Sequence, residues 1–283
     1  MLKKLKTKPF VVSSLILLLY AAYFLASFAI KRKPSASPTA ITPYSSQIPF
    51  QIILFLWLTA VVFILKWKQN VGFAPAKKGS WKFVIFPLVS AIIVLGGMTM
   101  VLGGGVGGYM DALGGVGSLL QLVLFFLLVG YTEELMFRGI FFFGVSERTK
   151  PIVAALITAV IFGSFHFINL LAGQALNVTI SQVLHAVVAG FMYVAIRMIT
   201  DSLIPIIIFH ATWDFLLTTG KIAVGAHTAS GGNGIDAVMK TAVETDVGGL
   251  TISPLMLAPA LLYGTFVMWR WHKRQQSEQN GVI

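Results

Sequence analysis

Eight runs of roughly twenty apolar residues fix the fold class, because a hydrocarbon core ~30 Å thick takes about that many helical residues to cross. The runs are Phe10–Ile30, Ile48–Leu65, Phe83–Leu102, Ser118–Ser146, Pro151–Leu171, Ile180–Ile199, Leu203–Thr218 and Leu250–Trp271. In lipid the backbone must satisfy its own hydrogen bonds, so such runs are read as helices. Composition agrees: 57% of the 283 residues are hydrophobic and 11% charged, with mean hydropathy +0.84. A soluble domain is about 45–50% apolar and ~25% charged. The expectation is one all-α, polytopic membrane domain over residues 1–283, with a polar site buried between the fourth, fifth and seventh spans.

The connections carry turn chemistry. KRKPSASPTAITPYSSQ is rich in Pro and Ser, and GGGVGGYMDALGGVG in Gly, so both read as loops. The stretch Thr219–Gly249 reads as a long polar loop or a small cap. No internal repeat supports inverted-repeat transporter symmetry. The chain has no cysteine, which excludes disulfides, thiolate metal ligands and a Cys nucleophile. Lys3, Lys4, Lys6 and Lys8 precede the first run, but its 21 residues exceed the ~7–15 of a signal-peptide core, so a retained span is expected.

The net charge of +11 would suggest nucleic acid in a soluble chain. Here the basic residues gather at the ends of apolar runs, where they orient helices and meet anionic lipid. With the N-terminus inside, fifteen of the 21 Lys and Arg fall in inner segments and five in outer ones; the last, Arg138, is in the membrane. Both termini are therefore expected in the cytoplasm, despite the Lys31-Arg32-Lys33 cluster after the first span.

Within the fourth run, Tyr131-Thr132-Glu133-Glu134-Leu135-Met136-Phe137-Arg138 places three charges among apolar neighbours. Each costs at least ~2.5–3.5 kcal/mol at a bilayer centre, so partners are required. Depth identifies them. At about 1.5 Å per helical residue, Glu133 and His166 both lie roughly 21–23 Å from the inner face, and His210 and Asp214 roughly 12–18 Å. Three spans thus deliver Glu, His, His and Asp to overlapping depths. Glu134 and Arg138 are an i, i+4 pair with the acid first, the favourable order for a same-helix ion pair, and read as support. Glu133, turned about 100° from Glu134, is free to face the other spans. His210 and Asp214 share one face, so Asp214 can orient the imidazole or meet a substrate.

Two histidines and a carboxylate suit zinc with an open position, with His166 and His210 as ligands. The same groups without metal can hold a water for a glutamate base. Other polar residues carry simpler readings. His185 is expected to bond a carbonyl or face solvent, Arg197 and Asp201 to mark the inner surface, and His227 and His272 to have no evident role. The Gly103–Gly117 run lacks the Lys-Ser/Thr of a phosphate loop. Asn177-Val178-Thr179 is a glycosylation sequon, relevant only in a secretory host.

The residues carry a family resemblance. Glu133-Glu134-Leu-Met-Phe-Arg138 resembles the EExxxR signature of the CAAX prenyl endopeptidase and bacteriocin-processing family (CPBP, or Abi). Phe162-Gly-Ser-Phe-His166 is similar to its FxxxH motif and His210-Ala-Thr-Trp-Asp214 to its HxxxN/D motif, with Asp where many relatives have Asn. The resemblance covers roughly Leu119 to Leu217, within a family-like core of 118–218.

It implies an eight-helix intramembrane endopeptidase in which Glu133 activates water. His166 and His210 would bind that water or a metal and, with Asp214, stabilise the oxyanion, while Glu134 and Arg138 support them. The expected partners are the lipid bilayer and a membrane-associated or hydrophobic peptide. The expected location is a plasma membrane of bacterial type. Alternatives are a non-catalytic scaffold or bacteriocin-immunity protein, tolerant of Glu133→Ala, and a proton-coupled transporter, whose flux would follow a pH gradient.

Overall fold

The computed structural model describes residues 8–29, 42–230 and 254–280, and among these every regular element is a helix. Besides a single turn at Thr42–Ser45, they are α1 (Pro9–Ala29), α2 (Ile48–Leu65), α3 (Lys82–Leu102), α4 (Gly105–Leu113), α5 (Val116–Ser146), α6 (Pro151–Phe165), α7 (Leu176–Thr200), α8 (Ile204–Ala229) and α9 (Pro254–Gln279). A π-helical stretch interrupts α3 at Ile92–Gly96 and α5 at Leu135–Phe141, and α6 continues as a 3₁₀ segment, His166–Ala172.

The all-α, polytopic expectation holds, with differences in detail. Six helices are long and apolar enough to cross a membrane: α1, α2, α3, α5, α6 with its 3₁₀ extension, and α7. The seventh and eighth expected spans fall on α8 and α9, which are helical but more polar. His210, Asp214 and Lys221 interrupt α8, and α9 runs on into WRWHKRQQSEQ. The first four residues assigned to the eighth span, 250–253, lie outside the described residues, as do 231–249 and 31–41 of the expected loops.

Two expected loops are partly helix. Residues 105–113 of the Gly-rich stretch form α4, bounded by left-handed Gly104 and Gly114 at φ 79°. Glycine pays no Cβ penalty there, so the chain can turn sharply at both ends. Helix α8 runs eleven residues beyond Thr218 because Ala223 and Val224 are buried and Ile222 packs on the cluster of Leu113, Leu122 and Phe126.

Helix α7 is the centre of the bundle: 67% of its most apolar window is buried, against 17–33% in the other five candidate spans. It packs on α6 and α9, while α5 packs on α8 and α2, and α1 on the second half of α5. Leu18, Phe86, Ile93 and Leu262 point outward, as lipid-facing side chains must.

The α6–α7 approach depends on a small residue. A Cβ on Gly163 would stand 2.8 Å from both the Val183 carbonyl oxygen and the Val187 nitrogen. Backbone atoms cannot rotate aside, so Gly163→Ala is expected to cost about 1–3 kcal/mol. The check is a lowered thermal transition in detergent. An unchanged transition would show that α6 and α7 can separate freely.

Candidate active site

Helix α5 delivers both glutamates just before its backbone switches to π-helical hydrogen bonding at Leu135. π-bulges recur at functional sites because they re-aim side chains that a regular helix would hold apart. Glu134 Oε1 accepts from Arg138 Nη1 at 2.9 Å, and both side chains are fully buried. The guanidinium also lies 3.9 Å from the centre of the Phe162 ring and 5.1 Å from that of Tyr193. Those ring faces offer it cation–π contact where water is absent.

His210 joins α8 to α5. Its Nδ1 is 2.7 Å from Glu134 Oε1, its Nε2 is 3.3 Å from Asp214 Oδ2, and Glu133 Oε2 is 3.8 Å from the same Nε2. Nδ1–H donates to Glu134, whose other partner is Arg138, and this sets the imidazole's orientation. The ring is held by Tyr193 at 5.2 Å and the edge of Phe162 at 6.1 Å. The 3.8 Å gap is too long for a hydrogen bond, so Glu133 Oε2 is not committed to His210.

Glu134 is thus more than half of a same-helix ion pair, because it bonds directly to the imidazole. Sequence spacing alone could not show this, since the contact crosses from α5 to α8.

His166 closes α6 at the point where the helix tightens to 3₁₀. Its Nδ1 meets the Phe162 carbonyl at 3.2 Å, and its ring stands edge-on to Phe162 at 5.2 Å. Among the described residues it forms no ion pair with Glu133 or Asp214. The structure therefore brings Glu133, Glu134, His210 and Asp214 together directly. His166 joins them through the Phe162 ring, which touches both imidazoles.

Solvent access distinguishes the carboxylates. The side chain of Glu134 is 0% exposed, Glu133 22% and Asp214 33%. The cluster is open on the Glu133–Asp214 side and sealed behind Glu134. Two clefts, of about 360 and 390 Å³, lie elsewhere, one against Tyr131 and Ile204 and one against Trp67 and Glu147. Neither includes Glu133, His166 or His210, so these two are not the cavity expected between the fourth, fifth and seventh spans.

The other polar residues keep to simpler roles. His185 Nδ1 meets the Ser181 carbonyl at 2.8 Å. Arg197 Nη1 bonds Asp201 at 3.1 Å, and Lys77 approaches the same carboxylate at 4.0 Å, tying the α2–α3 connection to the end of α7. Phe162 opens the FxxxH motif but drew no role of its own from the sequence, and Tyr193 was not singled out. The one signal that could have found Tyr193 is a phenol inside a run that is otherwise apolar.

Among the described residues no three His, Asp or Glu side chains converge as metal ligands would. His210 Nδ1 bonds Glu134 and His166 Nδ1 a carbonyl, the outer bonds that metal-ligating imidazoles make, so the two Nε2 atoms are the nitrogens that would hold a metal.

The fold and the cluster define a polytopic all-α membrane protein with one interior Glu–Glu–His–Asp constellation. Residues 115–216, 102 of the 283, match the family model described as type II CAAX prenyl endopeptidase, Rce1-like. That segment contains all three motifs, and the match supports the resemblance to the CPBP family read from them. No curated protein and no solved structure matches the chain.

Proposed function

We propose that the chain is an intramembrane endopeptidase that hydrolyses a peptide bond in a membrane-associated or hydrophobic peptide by glutamate-activated water. The observation that carries this reading is the pair of adjacent glutamates with opposite environments around one histidine. Glu134 is sealed and anchors His210, whereas Glu133 is partly exposed with an uncommitted oxygen. The match to a CAAX endopeptidase family supports the same class.

In this reading Glu133 takes a proton from water, and the water oxygen attacks the peptide carbonyl carbon. His166 and His210 hold the water and the developing oxyanion. Asp214, an acceptor, takes a substrate backbone N–H and so sets the carbonyl. The proton then passes from Glu133 to the leaving amine as the C–N bond breaks. The remaining charge on Arg138 keeps Glu134 an acceptor and His210 aligned. Both termini face the cytoplasm of a bacterial cell, and the site is reached from the Glu133–Asp214 side.

The test is cleavage by the purified chain in liposomes, offered a farnesylated C-a-a-X peptide and an unprenylated hydrophobic peptide. New fragments identified by mass support the reading. Proton-driven flux without fragments would replace it with a transporter. A folded chain that gives neither would point to a scaffold or immunity protein.

In this reading Glu133 activates water without zinc. Metal analysis of wild type and the His166→Ala/His210→Ala double variant is expected to show no stoichiometric zinc difference. Near one zinc per chain, lost in the variant, would make His166 and His210 metal ligands instead.

A further inference from the structure

Beyond His166 the chain builds a second polar cluster, which the proposed chemistry does not use. Asn169 Nδ2 donates to Gln182 Oε1 at 2.9 Å, and Gln174 Nε2 donates to the same oxygen at 3.0 Å. The Gln174 backbone N–H also donates to the Asn169 carbonyl at 3.1 Å, closing the turn after the 3₁₀ segment. The three amides tie the end of α6 to the start of α7, and each is half-buried.

Two helix faces lead from this cluster to the site. On α6 and its 3₁₀ extension, Phe162, His166 and Asn169 follow at steps of four and three residues. Residues three apart in a 3₁₀ helix eclipse, so Asn169 stands over His166, about 6 Å further along the axis. On α7, Gln182, Ala186, Ala189 and Tyr193 recur at four, three and four residues, the spacing of one helical face. The two faces meet at both ends. Phe162 and Tyr193 flank Arg138 and His210 at one end, and Asn169 bonds Gln182 at the other. Between them α7 offers only the methyl groups of Ala186 and Ala189, both partly exposed.

The cluster keeps bonding capacity of both kinds. Gln182 Oε1 takes both amide donors, so the Gln182 Nε2 hydrogens, Asn169 Oδ1 and Gln174 Oε1 have no partner among the described residues. A cation would call for acceptors alone and an anion for donors alone. Adjacent donors and acceptors match a peptide group, which brings one N–H and one C=O. We infer that Asn169, Gln174 and Gln182 bind the main chain of an extended peptide that continues past His166. A strand advances ~3.3 Å per residue, so the amides meet it about two residues from the one at His166. Recognition of this kind reads the backbone and tolerates different side chains. The inference rests on the proteolytic reading for the place of the cut, and not for the binding itself.

The test reads binding without turnover. The Glu133→Gln chain in liposomes is offered the unprenylated hydrophobic peptide carrying a fluorophore, and anisotropy gives Kd. Adding Gln182→Met, close in shape but without the amide, is expected to weaken binding about tenfold, the effect of one or two hydrogen bonds. The same peptide, N-methylated one residue at a time, probes the contact on the intact cluster. One position, or two adjacent ones, is expected to lose the same factor, and Gln182→Met then to add nothing.

An unchanged Kd in Gln182→Met, N-methyl losses to which Gln182→Met adds in full, or no binding of the peptide overturns the assignment. Amide-dependent binding by the Glu133→Gln chain, with no fragments from wild type, counts against the proteolytic reading alone and leaves the cluster a peptide site.

Discussion

Glu133→Gln is expected to reduce peptide turnover by about 10²–10⁴-fold, the contribution of a positioned general base, while the thermal transition stays in place. Glutamine has the same shape and can still hydrogen-bond, but it cannot take a proton from water. The structure separates the chemical from the structural loss because Glu133 is the less committed of the two glutamates. Its Oε2 stands 3.8 Å from His210 and its side chain is 22% exposed. Glu134 by contrast bonds both Arg138 and His210 with no exposure at all. Swapping the roles of the two glutamates would require Glu134→Gln to abolish turnover with no effect on stability. The buried ion pair makes that outcome incompatible with this geometry.

Arg138→Met should have the largest effect on stability. It leaves the buried Glu134 carboxylate with His210 as its one bonded partner, and breaking a buried pair from one side costs about 3–5 kcal/mol. The loss is larger than a charge count implies, because the guanidinium also fills the space between Phe162 and Tyr193. The double variant Glu134→Met/Arg138→Met removes both charges and is expected to recover much of the stability. It should not recover turnover, because His210 Nδ1 then has no carboxylate to orient it. Thermal unfolding and the liposome assay, run on the single and double variants, separate the two. Recovery of turnover together with stability would show that Glu134 acts only as the partner of Arg138.

Much of this was legible in the chain because lipid restricts the choices. Apolar runs near twenty residues announce helices, and a charge among them announces a partner at the same depth. Counting residues from the inner face was enough to group Glu133 with His210 and Asp214, whereas His166 stands off against Phe162. What it could not give was azimuth. The π-helical turn after Glu134 changes how α5 faces α8, and no pattern in LMFRGIF signals it.

His166 shows the same limit, since its helix tightens to 3₁₀ at that residue and its ring turns onto Phe162. The helical extension of α8 past Thr218 was missed because TTGKIAVGAHTA is mixed in polarity, and only its packing against α3 and α4 makes it a helix.

The most direct measurement is mass analysis of peptide recovered from liposomes holding either wild type or Glu133→Gln, both shown folded by the same thermal transition. Two complementary fragments with wild type, and intact peptide with Glu133→Gln, are the predicted result. Fragments in equal yield from both proteins would remove Glu133 as the base, and with it this account of the site.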